Sequence, residues 1–328
     1  MVIPQRLRKS LPRNFAKWEG DMRWEKKGLI YCPKGENEWI NNSVLTPQPF
    51  LLNPNVIRIY ASFRDAKGIG RIGYLDLDSQ NPKKILKISP KPVLDIGQDG
   101  CFDDNGLILG DVLRVRQGGE EKIYMYYVAF QIPQKVKFFA FSGLAVSKDN
   151  GESFQRIQNN PVLDRSKEGI FGRCIHSMLY EGGIFKVWYS VIHKWTFING
   201  IAYPTYFIKY IESKDGIHFE SEGKTCVQCE GSEYRIGRPK VYKSKGGYEM
   251  YYTSDTLSKE YKAGYAWSED GITWERRDSE CGLKASANGF DSQMACYPAL
   301  LRVNEKTYCF YGGNGMGQSG FGWAERVE

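Results

Sequence analysis

Short apolar runs that end in aromatic residues recur along this chain at nearly constant spacing. Each run is rich in β-branched and aromatic residues and is too short for a helix, so it predicts a β-strand. A regular period indicates one supersecondary unit that is stacked repeatedly. The marker residues are Tyr60, Tyr127, Tyr189, Tyr252 and Tyr311, at intervals of 67, 62, 63 and 59 residues.

A tight turn and a further aromatic residue follow the tyrosine run in three of the repeats. Asp-Gly and Asn-Gly supply the positive φ angles that hairpin turns require, so we expect the aspartates here to form turns. With an apolar segment before each tyrosine run, and a small-residue segment between that run and the turn, the pattern predicts four antiparallel strands per repeat. The turns are Asp149-Asn150-Gly151, Asp215-Gly216 and Asp270-Gly271, followed by Phe154, Phe219 and Trp274.

Four strands repeated five times predict an all-β fold, a five-bladed β-propeller. The last repeat reaches Glu328 after three strands, and the aromatic-led segment at about 22–31 has the pattern of the missing fourth strand. Pairing these two segments removes an open sheet edge that invites aggregation. We therefore expect residues 1–328 to form a single domain in which this N-terminal strand completes the last blade.

Composition allows a large core and narrows the class of protein. Hydrophobic residues make up 41% of the chain, far from a disordered composition. The net charge of +7 is spread without a basic stripe, so nucleic-acid binding is not expected. No apolar run has the roughly 18 residues of a membrane span, and the N-terminus lacks a signal peptide's apolar stretch. The eight cysteines indicate reduced thiols in the cytoplasm, with no metal site or cofactor.

The candidate site lies where the first strands of all blades converge at one end of the axis. Glycoside hydrolysis needs one carboxyl group to protonate the leaving oxygen and another to activate water or attack directly. Asp103, Glu233 and Asp291 are the candidate catalytic residues, although an aspartate before a strand also caps turns, so a structural role stays open. Candidate substrate-binding residues are Arg64, Asp65, Asp104, Arg173, His176, His193, Trp195, Arg235 and Arg238. Of these, His193 and Trp195 are expected in a loop after the third tyrosine strand.

Several motifs carry a resemblance to a known superfamily. Asp103 and Asp291 each follow a phenylalanine, in Gly100-Cys101-Phe102-Asp103 and Gly289-Phe290-Asp291, so we expect them in equivalent places. With the Ser-x-Asp-Gly turns and Arg238-Pro239, this set resembles the five-bladed propeller glycosidases, which include arabinanases, xylosidases, invertases and mannoside phosphorylases. More closely, the chain is similar to an uncharacterised branch linked to bacterial surface-polysaccharide gene clusters.

The resemblance implies catalytic acids that this chain matches only in part. It places a general-base aspartate on the first strand of blade 1, where residues 41–46 contain no acid. It maps a second aspartate to Asp103 or Asp104, and the acid glutamate loosely to Glu233. The absence of the first acid weakens the case for ordinary hydrolysis.

Three functions stay open from the sequence. The first is a glycoside hydrolase or phosphorylase-like enzyme that acts on a glycan or sugar conjugate in bacterial polysaccharide metabolism. The second is a transferase, for example of acyl groups, that acts on a nucleotide-linked sugar; its phosphates would be neutralised by arginines, and His176 or His193 would serve as the base. The third is a non-catalytic glycan-binding propeller.

Overall fold

Strands dominate the part of the chain that the computed structural model describes, which comprises residues 14–15, 23–117, 119–220 and 222–327. Two short helical turns, Asp278–Cys281 and Asn314–Gly317, interrupt them. The strands are β1 (Asn14–Phe15), β2 (Arg23–Tyr31), β3 (Ser43–Asn53), β4 (Val56–Arg64), β5 (Gly70–Asp78), β6 (Ile85–Ile88), β7 (Leu107–Gln117), β8 (Glu120–Gln131), β9 (Phe139–Ser147), β10 (Gln155–Arg156), β11 (Gly172–Glu181), β12 (Ile184–Ile198), β13 (Ile201–Ser213), β14 (Lys224–Val227), β15 (Glu233–Ser244), β16 (Gly247–Thr256), β17 (Lys262–Ser268), β18 (Glu275–Arg276), β19 (Cys296–Val303), β20 (Lys306–Gly312) and β21 (Phe321–Val327).

Consecutive strands pair antiparallel in successive units. Unit 1 contains β3–β6, unit 2 β7–β10, unit 3 β11–β14, unit 4 β15–β18 and unit 5 β19–β21. A parallel bridge between Gly172 and Ala140 joins units 2 and 3, and β1 pairs in parallel with β15 of unit 4. The predicted architecture of four-stranded antiparallel sheets is confirmed.

Strand β2 occupies the segment that the sequence predicts as an N-terminal strand. It pairs antiparallel with β21 on the outer side of unit 5, with Arg23 opposite Val327 and Tyr31 opposite Phe321. Met22, the first residue of the predicted segment, lies outside the described residues. Unit 5 therefore acquires its fourth strand from near the other end of the chain.

The tight turns connect neighbouring units through hydrogen bonds. In three of them, the glycine carbonyl oxygen accepts a hydrogen bond from an aromatic side chain of the preceding unit. The donor and acceptor residues are Tyr60 with Gly151 at 2.9 Å, Tyr126 with Gly216 at 2.9 Å, and Trp188 with Gly271 at 2.8 Å. The aromatic residues of one unit and the turn glycines of the next unit therefore form a contact that recurs between neighbouring units.

The turn aspartates have the structural role that the sequence predicts. Asp215 accepts hydrogen bonds from the backbone N–H groups of Ile217 and His218 at 2.8 and 2.9 Å. Asp270 accepts the corresponding hydrogen bonds from the backbone N–H groups of Ile272 and Thr273. These carboxylates fix the turn glycines at positive φ, where a side chain would be strained.

The same contacts correct the register of the repeat. Because Tyr60 and Tyr126 make equivalent bonds to turn glycines, Tyr60 is not the counterpart of Tyr127. Ala61 has that place: it lies opposite Gly73 on the third strand, as Tyr127 lies opposite Gly143. The first marker residue, Tyr60, is therefore shifted by one position relative to the other four markers.

Candidate functional site

The first strands of the units, β3, β7, β11, β15 and β19, lie side by side around one axis. Each has a β-bulge, at which its register with the second strand shifts. A bulge re-aims the side chain at the extra position. Each unit therefore directs a residue towards a shared centre. The residues at the bulges are Thr46, Gly110, His176, Arg238 and Tyr297.

Three of these bulges have a common backbone feature. Thr46, Arg238 and Tyr297 each precede a proline and have positive φ angles of 50°, 58° and 56°. For a residue other than glycine, this conformation costs about 1–3 kcal/mol and persists only where the surrounding structure imposes it. Such residues cluster at functional sites. The sequence prediction included Arg238 but missed Thr46 and Tyr297, which the residue-Pro pairs in the first strands could have indicated.

A narrow cavity lies on the axis between the bulges. Two of the polar side chains beside it are buried without a hydrogen-bond partner among the described residues: the Thr46 hydroxyl and one Nη of Arg238. Both amide atoms of Gln48, just beyond the bulge of β3, are in the same situation. Because buried polar groups are normally satisfied, this region is suited to a polar ligand or ordered water. The cavity is lined by Thr46, Pro47, Leu109, Gly110, His176, Arg238, Lys240 and Tyr297.

The charges beside the cavity differ in how they are compensated. Lys240 lies 3.5 Å from the Asp111 carboxylate and donates to the Gly110 carbonyl oxygen. The pKa of His176 is lowered well below its usual value by burial and by the charges of Arg238 and Lys240, so its imidazole is neutral near pH 7. Arg238 has no carboxylate partner within the described part of the chain; its guanidinium carbon lies 5.5 Å from the centre of the Tyr297 ring.

Arg64 lies at the end of the second strand of unit 1 and is not among the residues that line the cavity. Burial lowers the pKa of its guanidinium, Tyr297 opposes that shift, and the nearby charge of Arg238 adds to it. No salt bridge joins Arg64 to a carboxylate of the described residues. Of the predicted substrate-binding residues, the structure therefore brings His176 and Arg238 together at the cavity.

The candidate catalytic residues Asp103 and Asp291 occupy equivalent places, as the sequence predicts. Asp103 is buried and accepts hydrogen bonds from Arg156 at 2.6 Å and from the Tyr127 hydroxyl at 3.1 Å. Asp291 is buried and accepts hydrogen bonds from Lys26 at 2.5 Å and from Tyr311 at 3.1 Å. Each carboxylate thus links the second strand of its unit to a cation on the outer strand.

Glu233, the third candidate, forms a bidentate pair with Arg276, with N–O distances of 2.8 and 2.9 Å. Burial raises the pKa of this carboxyl, but the Arg276 hydrogen bonds outweigh that effect, so the net shift is downward. A carboxyl with a lowered pKa is ionised at neutral pH. Each of the three candidate acids is therefore bonded to its own cation.

Units 3 and 4 contain related contacts that the sequence prediction missed. Tyr189 donates to Glu168, which is paired with Lys209 at 2.6 Å. In unit 4, Tyr252 donates to Asp278, which is paired with Arg276 at 2.6 Å. The marker tyrosines could have indicated these acids, because a buried tyrosine hydroxyl usually finds a partner. Four units thus share a contact of tyrosine, carboxylate and cation, and we interpret this contact as part of the structural repeat.

The remaining polar candidates are engaged locally. Asp65 forms a 2.8 Å salt bridge with Arg71 and accepts backbone N–H groups of its own turn. Asp104 accepts hydrogen bonds from the Gly100 backbone and the Asn105 amide. Arg173 pairs with Glu168 at 3.4 Å.

His193 and Trp195 lie on the long strand β12, not in a loop as expected. The His193 ring packs against Phe207, and burial together with Lys194 lowers the pKa of its imidazole. Trp195 packs against Phe138, with ring centres 5.0 Å apart. Its indole N–H and Nδ1 of His193 have no partner among the described residues, so both side chains keep polar atoms available.

A cluster of tyrosines surrounds Arg235 on the side of unit 4. Arg235 is buried and forms a 2.6 Å salt bridge with Asp255. Tyr261 connects the cluster to the axis, because its hydroxyl donates to that of Tyr297 at 3.2 Å. Aromatic faces with nearby polar groups suit sugar rings, and this cluster was missed by the sequence prediction. The rings within 6.0 Å of the Arg235 guanidinium carbon are Tyr203, Tyr206, Tyr234 and Tyr261.

The described ranges contain neither a metal-binding cluster nor a long apolar helix. No group of three or more His, Cys, Asp or Glu side chains there is arranged to hold a metal ion. The eight cysteines are unpaired. Within the same ranges no helix has the length and apolar character needed to cross a bilayer.

Solved glycoside hydrolase structures have the same fold. The structure of BT0996 in an RGII complex matches with a TM-score of 0.70 and 18% identity, over 93% of this protein and 92% of that one. A thermostable family-43 glycoside hydrolase matches with a TM-score of 0.64 and 16% identity, over 92% and 91%. A structure from the GH130 family of mannoside phosphorylases matches with a TM-score of 0.62 and 15% identity, over 95% of this protein and 96% of that one. The fold is that of the propeller glycosidases.

Sequence relatives define the family within that fold. The uncharacterized protein Rv1502 of Mycobacterium tuberculosis strain H37Rv is 30% identical over 304 residues, which is 92% of this chain and 99% of the relative. The uncharacterized protein MT1551 of strain CDC 1551 has the same identity and coverage. The chain belongs to the family of these proteins. No family model matches it.

Proposed function

We propose that this protein is a carbohydrate-active enzyme whose substrate binds at the axial cavity. The observation that carries the proposal is the convergence of five bulged first strands on one cavity, in a fold shared with glycoside hydrolases and phosphorylases. In this proposal the five units are the blades of one propeller, and β2 completes the last blade. Bacterial surface-polysaccharide metabolism in the cytoplasm is the proposed setting.

Sugar recognition is assigned to side chains at the axis and in the tyrosine cluster around Arg235. Tyr297, Tyr261 and Tyr206 offer aromatic faces, and the Thr46 hydroxyl and Gln48 amide offer unpartnered polar atoms. Ligand pockets combine apolar walls with a few placed polar groups in this way. A neutral pyranose would satisfy both kinds of surface.

The acid–base role of Asp103, Glu233 and Asp291 stays a prediction. If it is right, Asp103→Asn and Asp291→Asn lower turnover by orders of magnitude in protein that remains folded. The matched control is Asp278→Asn, because Asp278 makes the same contacts to a tyrosine and a cation but is not among the candidate acids. Equal activity of all three variants and the wild type would remove Asp103 and Asp291 from the mechanism.

The enzymatic proposal is tested with a panel of aryl glycosides and bacterial oligosaccharides, with and without inorganic phosphate. Release of reducing sugar indicates hydrolysis, and formation of a sugar 1-phosphate indicates phosphorolysis. Turnover that disappears when Tyr297 is replaced by alanine would support the axial site. Binding of a glycan without turnover of any substrate would instead favour the non-catalytic alternative.

The transferase acting on a nucleotide-linked sugar is the second candidate. The observation in its favour is that Arg64 and Arg238 lack carboxylate partners within the described ranges. Arg173 and Arg235, which the sequence grouped with them, are neutralised by Glu168 and Asp255. Thermal stabilisation by a nucleotide sugar, but not by the free sugar, supports this alternative.

A further inference from the structure

We propose that the protein binds the surface of a lipid bilayer that contains anionic lipids, and that a hairpin of unit 3 inserts its tip into that surface. The hairpin consists of residues 193–205, at the joined ends of β12 and β13. The surface that meets the lipid is the end of the fold at which the first strands begin and their bulges lie. This role is separate from the proposed function and does not depend on it.

The most exposed large apolar side chains are concentrated at this end of the fold. Among the described residues, five such side chains are more than half exposed. Each lies in a segment next to the start of a first strand or the end of a second strand, which adjoin because the two strands are antiparallel. Apolar residues scattered singly need no explanation, but a group of them marks an interaction site. They are Ile132 beside unit 2, Ile170, Phe197 and Ile201 of unit 3, and Leu257 beside unit 4.

Contacts between aromatic side chains join these segments into one surface. Trp195 of the hairpin packs against Phe138, in the loop before β9, with ring centres 5.0 Å apart. It also packs against Phe171, which precedes β11, at 5.9 Å. Tyr203, on the other strand of the hairpin, has Lys259 Nζ 4.1 Å from its ring centre, and Lys259 lies in the loop after β16. The exposed apolar residues are therefore carried by adjoining segments of units 2, 3 and 4.

The hairpin projects beyond the rest of unit 3. Ile192 lies opposite Gly172, the first residue of β11, so residues 193–198 continue past the pairing with that strand. At about 3.4 Å per residue, they extend the two-stranded ribbon by about 20 Å. Asn199 and Gly200 close it with positive φ angles of 50° and 76°, as a type I′ turn requires. The tip is thus an ordered projection with a packed base.

The tip is apolar on both of its faces. Phe197 pairs with Ala202, and Ile198 pairs with Ile201. Because neighbouring positions of a strand point to opposite faces, Phe197 and Ile201 lie on opposite faces. Phe197 is 71% exposed, and Ile201 is also exposed. A hairpin that covered a protein surface or a bound sugar would need only one apolar face, whereas a tip inserted among lipid chains contacts them on both. The geometry therefore favours a bilayer over a protein partner.

The charge of the projecting segments suits anionic lipid head groups. Residues 132–138 and 193–205 contain three exposed lysines and no acidic residue. Residues 164–170 contain two acidic and two basic residues, and Lys259 forms a 2.6 Å ion pair with Asp255. Basic residues beside inserted apolar side chains strengthen binding to anionic membranes. A second copy that docked through the same surface would bring like charges together. The exposed lysines are Lys135, Lys137 and Lys194.

Co-sedimentation of the full chain with lipid vesicles tests the proposal. One set of vesicles contains phosphatidylglycerol and phosphatidylcholine in equal parts, and the other contains phosphatidylcholine alone. We expect partitioning onto the anionic vesicles to be stronger by about ten-fold or more, and to weaken at high sodium chloride, because the lysines are attracted to the charged surface. Absence of binding to the anionic vesicles, or equal binding to both sets, would overturn the proposal.

Phe197→Ser combined with Ile201→Ser tests insertion of the tip separately from attraction by charge. We expect this double variant to partition onto the anionic vesicles about ten-fold or more weakly, since binding scales with the apolar area that is buried in the membrane. Both side chains are exposed, so the fold is retained, which circular dichroism checks. Leu86→Ser is the matched control, because Leu86 is also exposed but lies on the outer strand β6 of unit 1. Unchanged binding of the double variant, or an equal loss in Leu86→Ser, would contradict tip insertion.

Sedimentation equilibrium without vesicles distinguishes lipid from a second copy of the chain as the occupant of this surface. We expect the wild type and the double variant to have the same molecular mass. A dimer that the double variant dissociates would assign the hairpin tip to self-association and overturn the proposal. The proposed function fails separately, if no sugar or glycan binds or reacts in the absence of vesicles.

Discussion

Replacing Asp103 by asparagine tests whether its carboxylate stabilises the fold through Arg156 and Tyr127. The Asp103 side chain is 1% exposed, and one oxygen accepts both hydrogen bonds. Gly97 packs so tightly against the other oxygen that a Cβ there would lie 1.9 Å away. Asparagine keeps the shape and one acceptor oxygen but lacks the charge. The Arg156 guanidinium then loses its counter-ion.

The magnitude follows from the burial of the two partners. Removing one member of a buried ion pair costs about 3–5 kcal/mol. Arg156 is 23% exposed and retains its hydrogen bond to the Asp95 carbonyl oxygen, so water compensates part of the loss, and we expect about 2 kcal/mol. An unfolding entropy of about 2.1 cal/mol/K per residue gives about 0.7 kcal/mol/K for this chain. The thermal midpoint should therefore fall by about 3 °C.

Thermal and urea unfolding followed by circular dichroism measure this change. Asp104→Asn is the matched control, because it removes the same charge from the neighbouring position. There the carboxylate is partly exposed and, among the described residues, bonds only to Gly100 and Asn105. We expect its effect to be less than half as large. An unchanged midpoint for Asp103→Asn would refute the stabilising role. Combined with a large loss of turnover, that result would assign Asp103 to catalysis.

Three further predictions concern stability. Burial raises the pKa of Glu249 from 4.5 to about 6. The folded state therefore favours the protonated carboxyl, and the stability that this preference contributes is present below pH 4.5 and lost as the pH rises through 6. Glu249→Gln should add up to about 2 kcal/mol at pH 7 and nothing at pH 4, and urea midpoints that shift equally at both would contradict this. Gly216→Ala should lower the free energy of unfolding by about 2–3 kcal/mol, because its Cβ would lie 2.4 Å from the Tyr126 hydroxyl. Gly246 has a similar φ but open space around it, so Gly246→Ala measures the backbone strain alone. Equal losses of stability in the two variants would refute the steric clash. Trp188→Phe should cost about 1–2 kcal/mol by removing a 2.8 Å hydrogen bond between units, and an unchanged thermal midpoint would show that this bond adds nothing.

The repeat of strands and turns was predictable because its signals are local. Alternation of apolar residues and the Asp-Gly dipeptides act within a few residues of the chain. The register of the first repeat was not predictable in the same way. Tyr126 and Tyr127 are adjacent, so either could match Tyr60 by pattern. The bond from Tyr60 to Gly151, 91 residues away, decides between them.

The candidate site was predictable only in outline. Convergence at the ends of the first strands followed from the predicted architecture, and His176 and Arg238 both line the cavity there. The bulge residues Thr46 and Tyr297 were missed, because a bulge depends on pairing between strands and leaves only a following proline in the sequence. His193 and Trp195 were assigned to a loop because β12 and its partner β13, with 15 and 13 residues, are longer than the other strands.

The sequence by itself determined the all-β repeat, its turn chemistry and the segment that pairs with the last strand. Only the tertiary structure decided which charges are free. Arg173 and Arg235 are the same residue type as Arg64 and Arg238, and all four lie on strands. The first two meet Glu168 and Asp255, and the other two meet no carboxylate among the described residues. Charge compensation depends on distance and burial across separate units, and neither quantity is encoded in the local pattern of the chain.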